Sequence, residues 1–453
     1  MSIYFEPKEI FRHFIDQKDF MEDRIKNGIE MYRKGFMRLV FRDKSGNPLT
    51  GAHVKVNQFT HDFGFGGILF HHNTYASPEE NRMHEEAHAN LFNLGVVGLY
   101  WGLFEREKNN PRFTGAPLKV GNSYMATPEE NIAYAKKYNI TLKGHPLFWG
   151  IVLPEWGLPQ NYEQLRQLIT KRFREIAEKL DGILKWVDVI NETTFLPVYS
   201  EAPDIKKHGF NRNQVPMGMD IVDFCFKQAD RYFADTRLTI NEGTQIWNSR
   251  LRENSAYYMQ IRGLINRNIR IDDIGMQFHM FVQPDELYNA ADWAFNPKRL
   301  YEILDTYAVL GRPMHISEVT VPSYGENGDE IQAEGLRNLY RIWFSHKDVR
   351  SIIYWYFNDN RVKNDDSIGW NETIFRPGLI RKDFSEKPAY KVLDELINKE
   401  WRTNLELDVK DDHADIKGFF GRYEITVLYN GKETKREIDF SKSGFDEFVL
   451  TLE

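Results

Sequence analysis

The sequence contains only one cysteine, Cys225, among its 453 residues. A single cysteine excludes an internal disulfide and a zinc site built from several cysteines, and it is typical of a reducing compartment. The surrounding segment DFCFKQ favours a small buried hydrophobic side chain over a reactive thiol.

Long apolar runs are also missing from the sequence. No segment approaches the roughly 18 apolar residues that a membrane-spanning helix needs. The start, MSIYFEPKEIFRHF, carries charges where a signal peptide has an apolar core. We therefore expect a cytoplasmic protein without a membrane partner, or a secreted or periplasmic one if a leader has been removed.

Charge of one sign does not collect anywhere along the chain. The sequence has 59 Lys and Arg against 66 Asp and Glu, and no long run of either sign argues for nucleic acid or anionic lipid as a partner. Hydrophobic residues make up 42% and aromatic residues 14%. This supply is enough for a large core, and it suits stacking on sugar rings, although core packing uses the same residues.

Strand-like segments occur at both ends of the chain. A run from Met37 to Val56 alternates around a Ser-Gly-Asn-Pro turn and predicts a β-hairpin. Near the other end, an Asn430-Gly431 turn separates two alternating runs, and the strand-like FDEFVLTL follows. Because neither set has a core of its own, we expect both to meet in a small accessory β-sandwich, formed by residues 1–59 and 403–453.

The central residues, 60–402, alternate between short β-like runs and helical stretches. Eight runs qualify as strands: DFGFGGILF, LGVVGLYW, TLKGHPLFW, WVDVIN, RLTIN, DIGMQFHM, PMHISEVTV and SIIYWYF. Eight such units predict an α/β protein with a (β/α)8 TIM barrel. In this fold the chemistry lies at the carboxyl ends of the strands.

Polar residues close most of these strands, and they combine carboxylates, amides, histidine and tryptophan. They are His145, Asn191-Glu192, Asn241-Glu242, Gln277, His279, Glu318, Trp355 and Asn358-Asp359. A glycine-rich phosphate loop, a G-x-S-x-G elbow and a credible Cys-His pair are all missing. Two carboxylates among aromatics indicate glycoside hydrolysis, which needs a proton donor and a carboxylate against a developing positive charge.

Five segments resemble, in order, the motifs of the family 10 glycoside hydrolases, which are (β/α)8 barrels best known as endo-β-1,4-xylanases. LKGHPLFW is similar to the family's R-G-H-x-L-x-W, WVDVINE to W-D-V-V-N-E, IGMQFHM to G-x-Q-x-H and HISEVTV to I-T-E-L-D. The closing GLIRKDFSEKPAYKVL resembles the family's G-L-x-x-x-x-x-x-K-P-A-Y ending. Five weak motifs in the family's order form a stronger indication than any one of them.

The resemblance implies a role for each matched residue. Glu192 would be the general acid/base and Glu318 the nucleophile of a retaining double displacement, with about 5 to 5.5 Å between the carboxyl groups. His279 would hydrogen-bond the nucleophile, and the mechanism uses neither metal nor cofactor. The residues implied in substrate binding are His145, Trp149, Asn191, Gln277, His279, Trp355 and Trp370. The second pair, Asn241-Glu242, falls where the family has N-D-Y-N, and we expect it to be structural or at the rim.

The sequence departs from the family on one side of the expected cleft. Val96, Val97 and Tyr100 stand where the family has the Glu, Asn and Lys of E-N-x-M-K-W, and Gly150–Val152 replaces H-S-Q. Lost hydrogen bonds to a sugar hydroxyl change substrate choice strongly. We therefore expect a retaining β-glycosidase for β-1,4-xylan, xylo-oligosaccharides or a related β-xyloside, including short, decorated or aryl-linked glycosides.

The segment HEEAH, His84 to His88, matches the zinc signature H-E-x-x-H. It lies in what reads as the first barrel helix, without the context of a zinc protease, so we expect a solvated helix face. His71-His72 closes the first strand, where adjacent side chains point to opposite faces. A rim or sugar-contact role is favoured there over metal binding.

Two alternatives to a glycosidase stay open. The altered glycone side allows a catalytically silent carbohydrate-binding barrel, although Glu192, Glu318 and His279 are all present. A metal-dependent hydrolase would instead require His71, His72 or the HEEAH histidines to bind metal, and a chelator would inhibit it.

Overall fold

The computed structural model describes residues 3–120, 123–154, 156, 159, 161–195, 218–365, 370–441 and 446–452. Its strands, in chain order, are β1 (Lys34–Arg42), β2 (Ala52–His61), β3 (Gly64–Ile68), β4 (Leu94–Gly98), β5 (Leu118–Val120), β6 (Ser123–Met125), β7 (Thr141–His145), β8 (Trp186–Asn191), β9 (Arg237–Glu242), β10 (Asp273–His279), β11 (Met314–Thr320), β12 (Val349–Tyr354), β13 (Asn364–Asp365), β14 (Trp370–Asn371), β15 (Asn404–Val409), β16 (His413–Phe419), β17 (Gly421–Tyr429), β18 (Lys432–Phe440) and β19 (Asp446–Thr451).

The helices lie mainly between the strands of the central region. They are α1 (Pro7–Ile10), α2 (Arg12–Asp16), α3 (Lys18–Tyr32), α4 (Pro78–Leu91), α5 (Trp101–Phe104), α6 (Pro128–Tyr138), α7 (Tyr162–Leu180), α8 (Ile221–Tyr232), α9 (Gln245–Asn248), α10 (Ala256–Asn266), α11 (Leu287–Ala294), α12 (Pro297–Ala308), α13 (Gly328–Ser345) and α14 (Pro388–Asp394), which continues as a π-helix (Glu395–Glu400). Within the described ranges, no helix has the length and apolarity needed to span a membrane.

Eight parallel strands close into a barrel in the order β3-β4-β7-β8-β9-β10-β11-β12, with β12 pairing back to β3. These are the eight strands expected from the sequence, so the predicted (β/α)8 fold is confirmed. The strand interiors are almost wholly buried, as barrel strands covered by helices should be. All eight carboxyl ends open on one face of the barrel, which positions the polar residues that follow them.

The terminal strands form two further sheets that pack on each other. One has the order β16-β1-β19 and the other β15-β2-β17-β18. Apolar side chains from both sheets share one buried cluster, which includes Leu39, Val54, Ile425 and Leu450. The accessory β-sandwich of N- and C-terminal strands is therefore confirmed.

The predicted hairpin from Met37 to Val56 is wrong. β1 and β2 belong to opposite sheets and do not pair with each other. After a single bridge between Arg42 and Pro48, the chain passes Gly51, whose φ of +81° turns it toward the other sheet. Both strands carry an apolar face, and burying the two faces against each other requires one strand in each sheet.

The turn at Asn430-Gly431 does form the expected hairpin, between β17 and β18. Both turn residues have positive φ, at +49° and +78°. This combination gives the type I′ turn whose twist matches that of paired strands. The segment near the end forms β19, which pairs in parallel with β1.

Candidate active site

The carboxyl ends of the barrel strands surround a cavity of about 540 Å³. Eight of its lining residues were expected at the site from the sequence: His145, Trp149, Asn191, Glu192, Gln277, His279, Glu318 and Trp355. The side chain of Trp370 lies outside the described part of the structure. The strand ends therefore bring the predicted residues to one place.

Glu318, on β11, is buried and is contacted from three sides. Asn241 Nδ2 donates a hydrogen bond to Oε1 at 2.8 Å, and His279 Nε2 lies 3.2 Å from Oε2. His279 Nδ1 in turn lies 2.8 Å from Thr320 Oγ1, while His145 Nε2 is 3.8 Å from Glu318 Oε1. These contacts fix the orientation of the carboxylate, which a nucleophile in a retaining mechanism requires.

Glu192 follows β8 directly and lies in a different environment. Trp149 Nε1 donates to Oε2 at 3.1 Å, and Gln277 Nε2 donates to Oε1 at 3.4 Å. Burial raises the pKa of Glu192 to about 8, with the charges of Glu242 and Glu318 adding to the effect and the two hydrogen bonds opposing it. Glu192 therefore holds a proton at neutral pH, as a general acid must.

Asn191, the residue before Glu192, has its side chain oriented by two amides. Its Oδ1 accepts from Asn241 Nδ2 at 2.7 Å and from Gln277 Nε2 at 3.3 Å. The Nδ2 group has no protein acceptor among the described residues, and the residue lines the cavity. This amide can therefore donate to a bound sugar hydroxyl.

The pair Asn241-Glu242 divides into two different roles. Glu242 is fully buried and accepts hydrogen bonds from Thr194 N and Gly243 N, both at 2.8 Å, and from Gln245 Nε2 at 2.9 Å. These contacts fit a structural residue. Asn241 instead joins Asn191 to Glu318, whereas the sequence predicted a structural or rim position for the pair.

His145 is 1% exposed, yet it borders the cavity. Its Nδ1 lies 2.8 Å from Asp188 Oδ2, which the buried Lys143 also contacts. Its ring forms T-shaped pairs with the rings of Trp355 and Tyr100, and the ring centroids are 5.3 Å apart in each pair. Its orientation is therefore fixed by the barrel interior.

The altered side of the cleft is aromatic and apolar. Val96 and Val97 are buried within β4. Tyr100 instead lines the cavity, and its ring centroid lies 5.8 Å from that of Trp149. Ile151 and Val152 line it as well. The residues of this side that line the cavity are thus one aromatic and two aliphatic side chains.

The expectation that HEEAH forms a solvated helix face is wrong for its histidines. His84 and His88, on α4, are 3% and 1% exposed. His84 Nδ1 lies 3.0 Å from Tyr75 Oη, and His88 Nδ1 lies 2.7 Å from Tyr134 Oη. Two histidines four residues apart share a helix face, and here that face packs inward against aromatic rings such as Phe357.

His71 and His72 lie in the turn after β3, and their side chains have different surroundings. His71 lines the cavity, and His72 packs against Tyr134 at 4.7 Å. In the part of the chain that the structure describes, no group of three or more His, Cys, Asp or Glu side chains has a geometry that could hold a metal ion.

The chain is similar in sequence to one protein family and to several known proteins. The sequence model of glycosyl hydrolase family 10 matches residues 108–396, which is more than half of the chain. Endo-1,4-beta-xylanase B of Neocallimastix patriciarum is 24% identical over 63% of this chain and 30% of its own length. The anti-sigma-I factor RsgI6 of Acetivibrio thermocellus is 23% identical over 90% of this chain and 47% of its own. The chain thus spans less than half the length of these relatives.

A solved structure, xylanase 10B from Thermotoga petrophila RKU-1 in complex with xylobiose, has a TM-score of 0.56 and 21% identity. The match covers 75% of this chain and 95% of that one. At this identity the likeness establishes the barrel fold. From the match to the family model over residues 108–396, we conclude that the chain belongs to glycosyl hydrolase family 10.

Proposed function

We propose that the protein is a retaining β-glycoside hydrolase, with Glu192 as general acid/base and Glu318 as nucleophile. One observation carries the proposal. The two carboxyl groups border one cavity and share a network of amides, yet burial raises the pKa of Glu192 to about 8, whereas Glu318 is held in place by a hydrogen bond from Asn241 and a contact with His279. Different environments for two carboxyl groups are what double displacement needs.

The chemistry proceeds in two steps. Glu318 attacks the anomeric carbon while the glycosidic oxygen takes the proton of Glu192, which releases the leaving group and leaves a covalent glycosyl ester. Glu192, now a carboxylate, removes a proton from water. The resulting hydroxide attacks the anomeric carbon, expels Glu318 and gives a product with retained configuration.

The substrate class that we propose is β-1,4-xylan, a xylo-oligosaccharide or a related β-xyloside. The family and the xylanases similar to this chain support xylose-based substrates. The apolar side chains of Tyr100, Ile151 and Val152 at the cavity support a shorter or differently substituted glycone than plain xylan provides.

Hydrolysis of aryl β-xyloside and aryl β-xylobioside, with a chelator present throughout, tests this function. We expect release from at least one substrate by the wild type and near-complete loss in Glu318→Gln. Glu192→Gln should retain more activity on a substrate with a good leaving group than on one with a poor leaving group, because only the latter needs the acid. An equal loss of activity on the substrate with a good leaving group and on the substrate with a poor one would argue against Glu192 as the acid.

The same assay addresses the two alternatives. A catalytically silent carbohydrate-binding barrel would release nothing from either substrate but would bind xylo-oligosaccharides in a titration. A metal-dependent hydrolase would lose activity in chelator and would tolerate Glu318→Gln.

A further inference from the structure

The wall of the cavity that faces Glu192 carries charged and polar side chains. In the closed barrel, β12 and β8 are separated by three strands on either side, so residues that follow β12 stand across from Glu192. This wall consists of Tyr356, Arg361, Lys363 and Glu372, which follow β12, together with Tyr124 and His71, which lie beside Arg361. Since the acid protonates the leaving group on its own side, the opposite wall contacts the glycone.

Arg361 is fixed in this wall by neutral groups alone. Nε donates to Thr74 Oγ1 at 3.2 Å, Nη2 to Thr74 O at 2.6 Å and Nη1 to Asn360 O at 3.2 Å. The guanidinium lies 4.0 Å from the ring centroid of Tyr75 and 4.3 Å from that of Tyr124. No carboxylate of the described residues pairs with it. Three of its five N–H groups are used, which leaves two for a ligand.

His71 stands beside this guanidinium. The turn that carries it is closed by Thr74 Oγ1, which donates to His71 O at 2.7 Å and also accepts from Arg361. The imidazole is 8% exposed and lines the cavity, and among the described residues no protein group hydrogen-bonds its side chain. Burial and the charge of Arg361 lower the pKa of His71 to about 3, so it is neutral and offers one N–H donor.

The remaining charges of the wall have opposite signs. Glu372 accepts a hydrogen bond from Tyr356 Oη, and its backbone N donates to Lys363 O at 2.9 Å. The formal charges of Lys363 and Glu372 offset each other. The charge of Arg361 is therefore the net charge of this wall, and a guanidinium with two remaining N–H groups suits a carboxylate better than a neutral hydroxyl.

We propose that this wall binds the carboxylate of an acidic sugar, a uronic acid unit on the glycone part of the substrate. Arg361 supplies the charge and two donors, and His71 supplies a further neutral donor. The inference rests on the proposed function, because it assigns the glycone side from the role of Glu192. It gives Arg361 a ligand in a cavity where Tyr100, Ile151 and Val152 offer few hydrogen bonds to plain xylan.

Isothermal titration of the inactive Glu318→Gln protein tests the proposal. The probe is xylotriose with a glucuronic acid unit on its non-reducing xylose, and the matched probe is the same compound with the carboxyl group reduced to the alcohol. We expect the acidic probe to bind roughly tenfold more tightly at low salt, as for a hydrogen bond to a charged group. Added Arg361→Gln should abolish that preference, because it weakens binding of the acidic probe more than binding of the neutral one.

If Arg361→Gln does not fold, two further variants test the same preference for the acidic probe. Arg361→Lys should retain part of the preference, and His71→Phe, which keeps an aromatic ring next to Phe70, should reduce it. Equal binding of both probes, or a preference that survives in His71→Phe and Arg361→Gln, overturns the inference while the proposed function stands. Failure to bind either probe also overturns the inference, whereas the proposed function is decided separately by the aryl β-xyloside assay of wild type and Glu318→Gln.

Discussion

The side-chain amide of Asn241 donates to Glu318 at 2.8 Å, and the same nitrogen donates to Asn191 at 2.7 Å. Its own oxygen accepts from Ser317 Oγ at 2.6 Å, which fixes the amide orientation. One fully buried residue thus sets the positions of the proposed nucleophile, Glu318, and of Asn191, next to the proposed acid, Glu192.

Asn241→Asp should strongly reduce glycoside hydrolysis. The change keeps the shape of the side chain but replaces a donor to Glu318 with a second carboxyl group, so one of the two will tend to hold a proton. We expect kcat/KM to fall roughly 100-fold, the scale for one lost donor at an active site, and the acidic limb of its pH profile to move upward. Asn266→Asp, at an exposed position, is the control and should be neutral.

The pH dependence of kcat/KM should report the protonation of Glu192. A carboxyl group with a pKa of about 8 is protonated below that pH, so activity should decline as the pH rises through about 8. Trp149→Phe removes a hydrogen bond that lowers this pKa and should move the basic limb upward. Glu242→Gln removes a charge that raises the pKa and should move it downward. Shifts in the same direction in both variants would contradict the assignment.

Gly275→Ala should damage the site without touching a catalytic side chain. A Cβ atom at this position would lie 2.2 Å from Asn241 Oδ1 and 3.2 Å from Ile240 O, so Asn241 would have to move. We expect a loss of kcat larger than any loss of thermal stability explains. Gly263→Ala, where the nearest atom is the flexible end of Arg267 at 3.1 Å, is the matched control and should keep full activity.

The buried histidines should make the fold sensitive to mild acid. Burial lowers the pKa of His88 to about 3 from its usual 6.5. Between these pH values the unfolded chain binds a proton at His88 and the folded chain does not. The free energy of unfolding should therefore fall as the pH decreases from about 6.5 towards 3, by up to roughly 1.4 kcal/mol per pH unit for each such histidine. Urea denaturation of wild type and His88→Gln at pH 7 and 5 measures this. An unchanged pH dependence in the variant would refute the explanation.

Pattern reasoning predicted the barrel well because its strands are short, fully buried apolar runs that end in polar residues. The same logic drew attention to Glu192, which directly follows β8, and to Glu318, which lies near the carboxyl end of β11. It failed for the strands of Met37 to Val56, because alternation along a strand does not specify which sheet the strand joins. That choice depends on distant partners such as β16 and β17.

The polar network was predicted less completely for a related reason. Asn241 carries no local signal that distinguishes a residue at the centre of a site from one at its rim, and only the closure of the barrel brings it to Glu318. The inward face of His84 and His88 was missed because partners for imidazoles, here Tyr75 and Tyr134, come from elsewhere in the fold. For Asn241 and for the two histidines alike, the position of the side chain depends on partners that are distant in the sequence.

Glu192 has a backbone φ of +54°, in the left-handed region that side chains other than glycine rarely occupy. Such a conformation costs about 1 kcal/mol or more, and at neutral pH the raised pKa of its carboxyl group further weakens the fold, because the unfolded chain loses that proton from about pH 4.5 upward. Replacing this glutamate with glycine relieves both effects. The position that we assign to catalysis is therefore one where selection for activity and selection for stability oppose each other, and an inactive descendant of this barrel would gain stability by losing its acid.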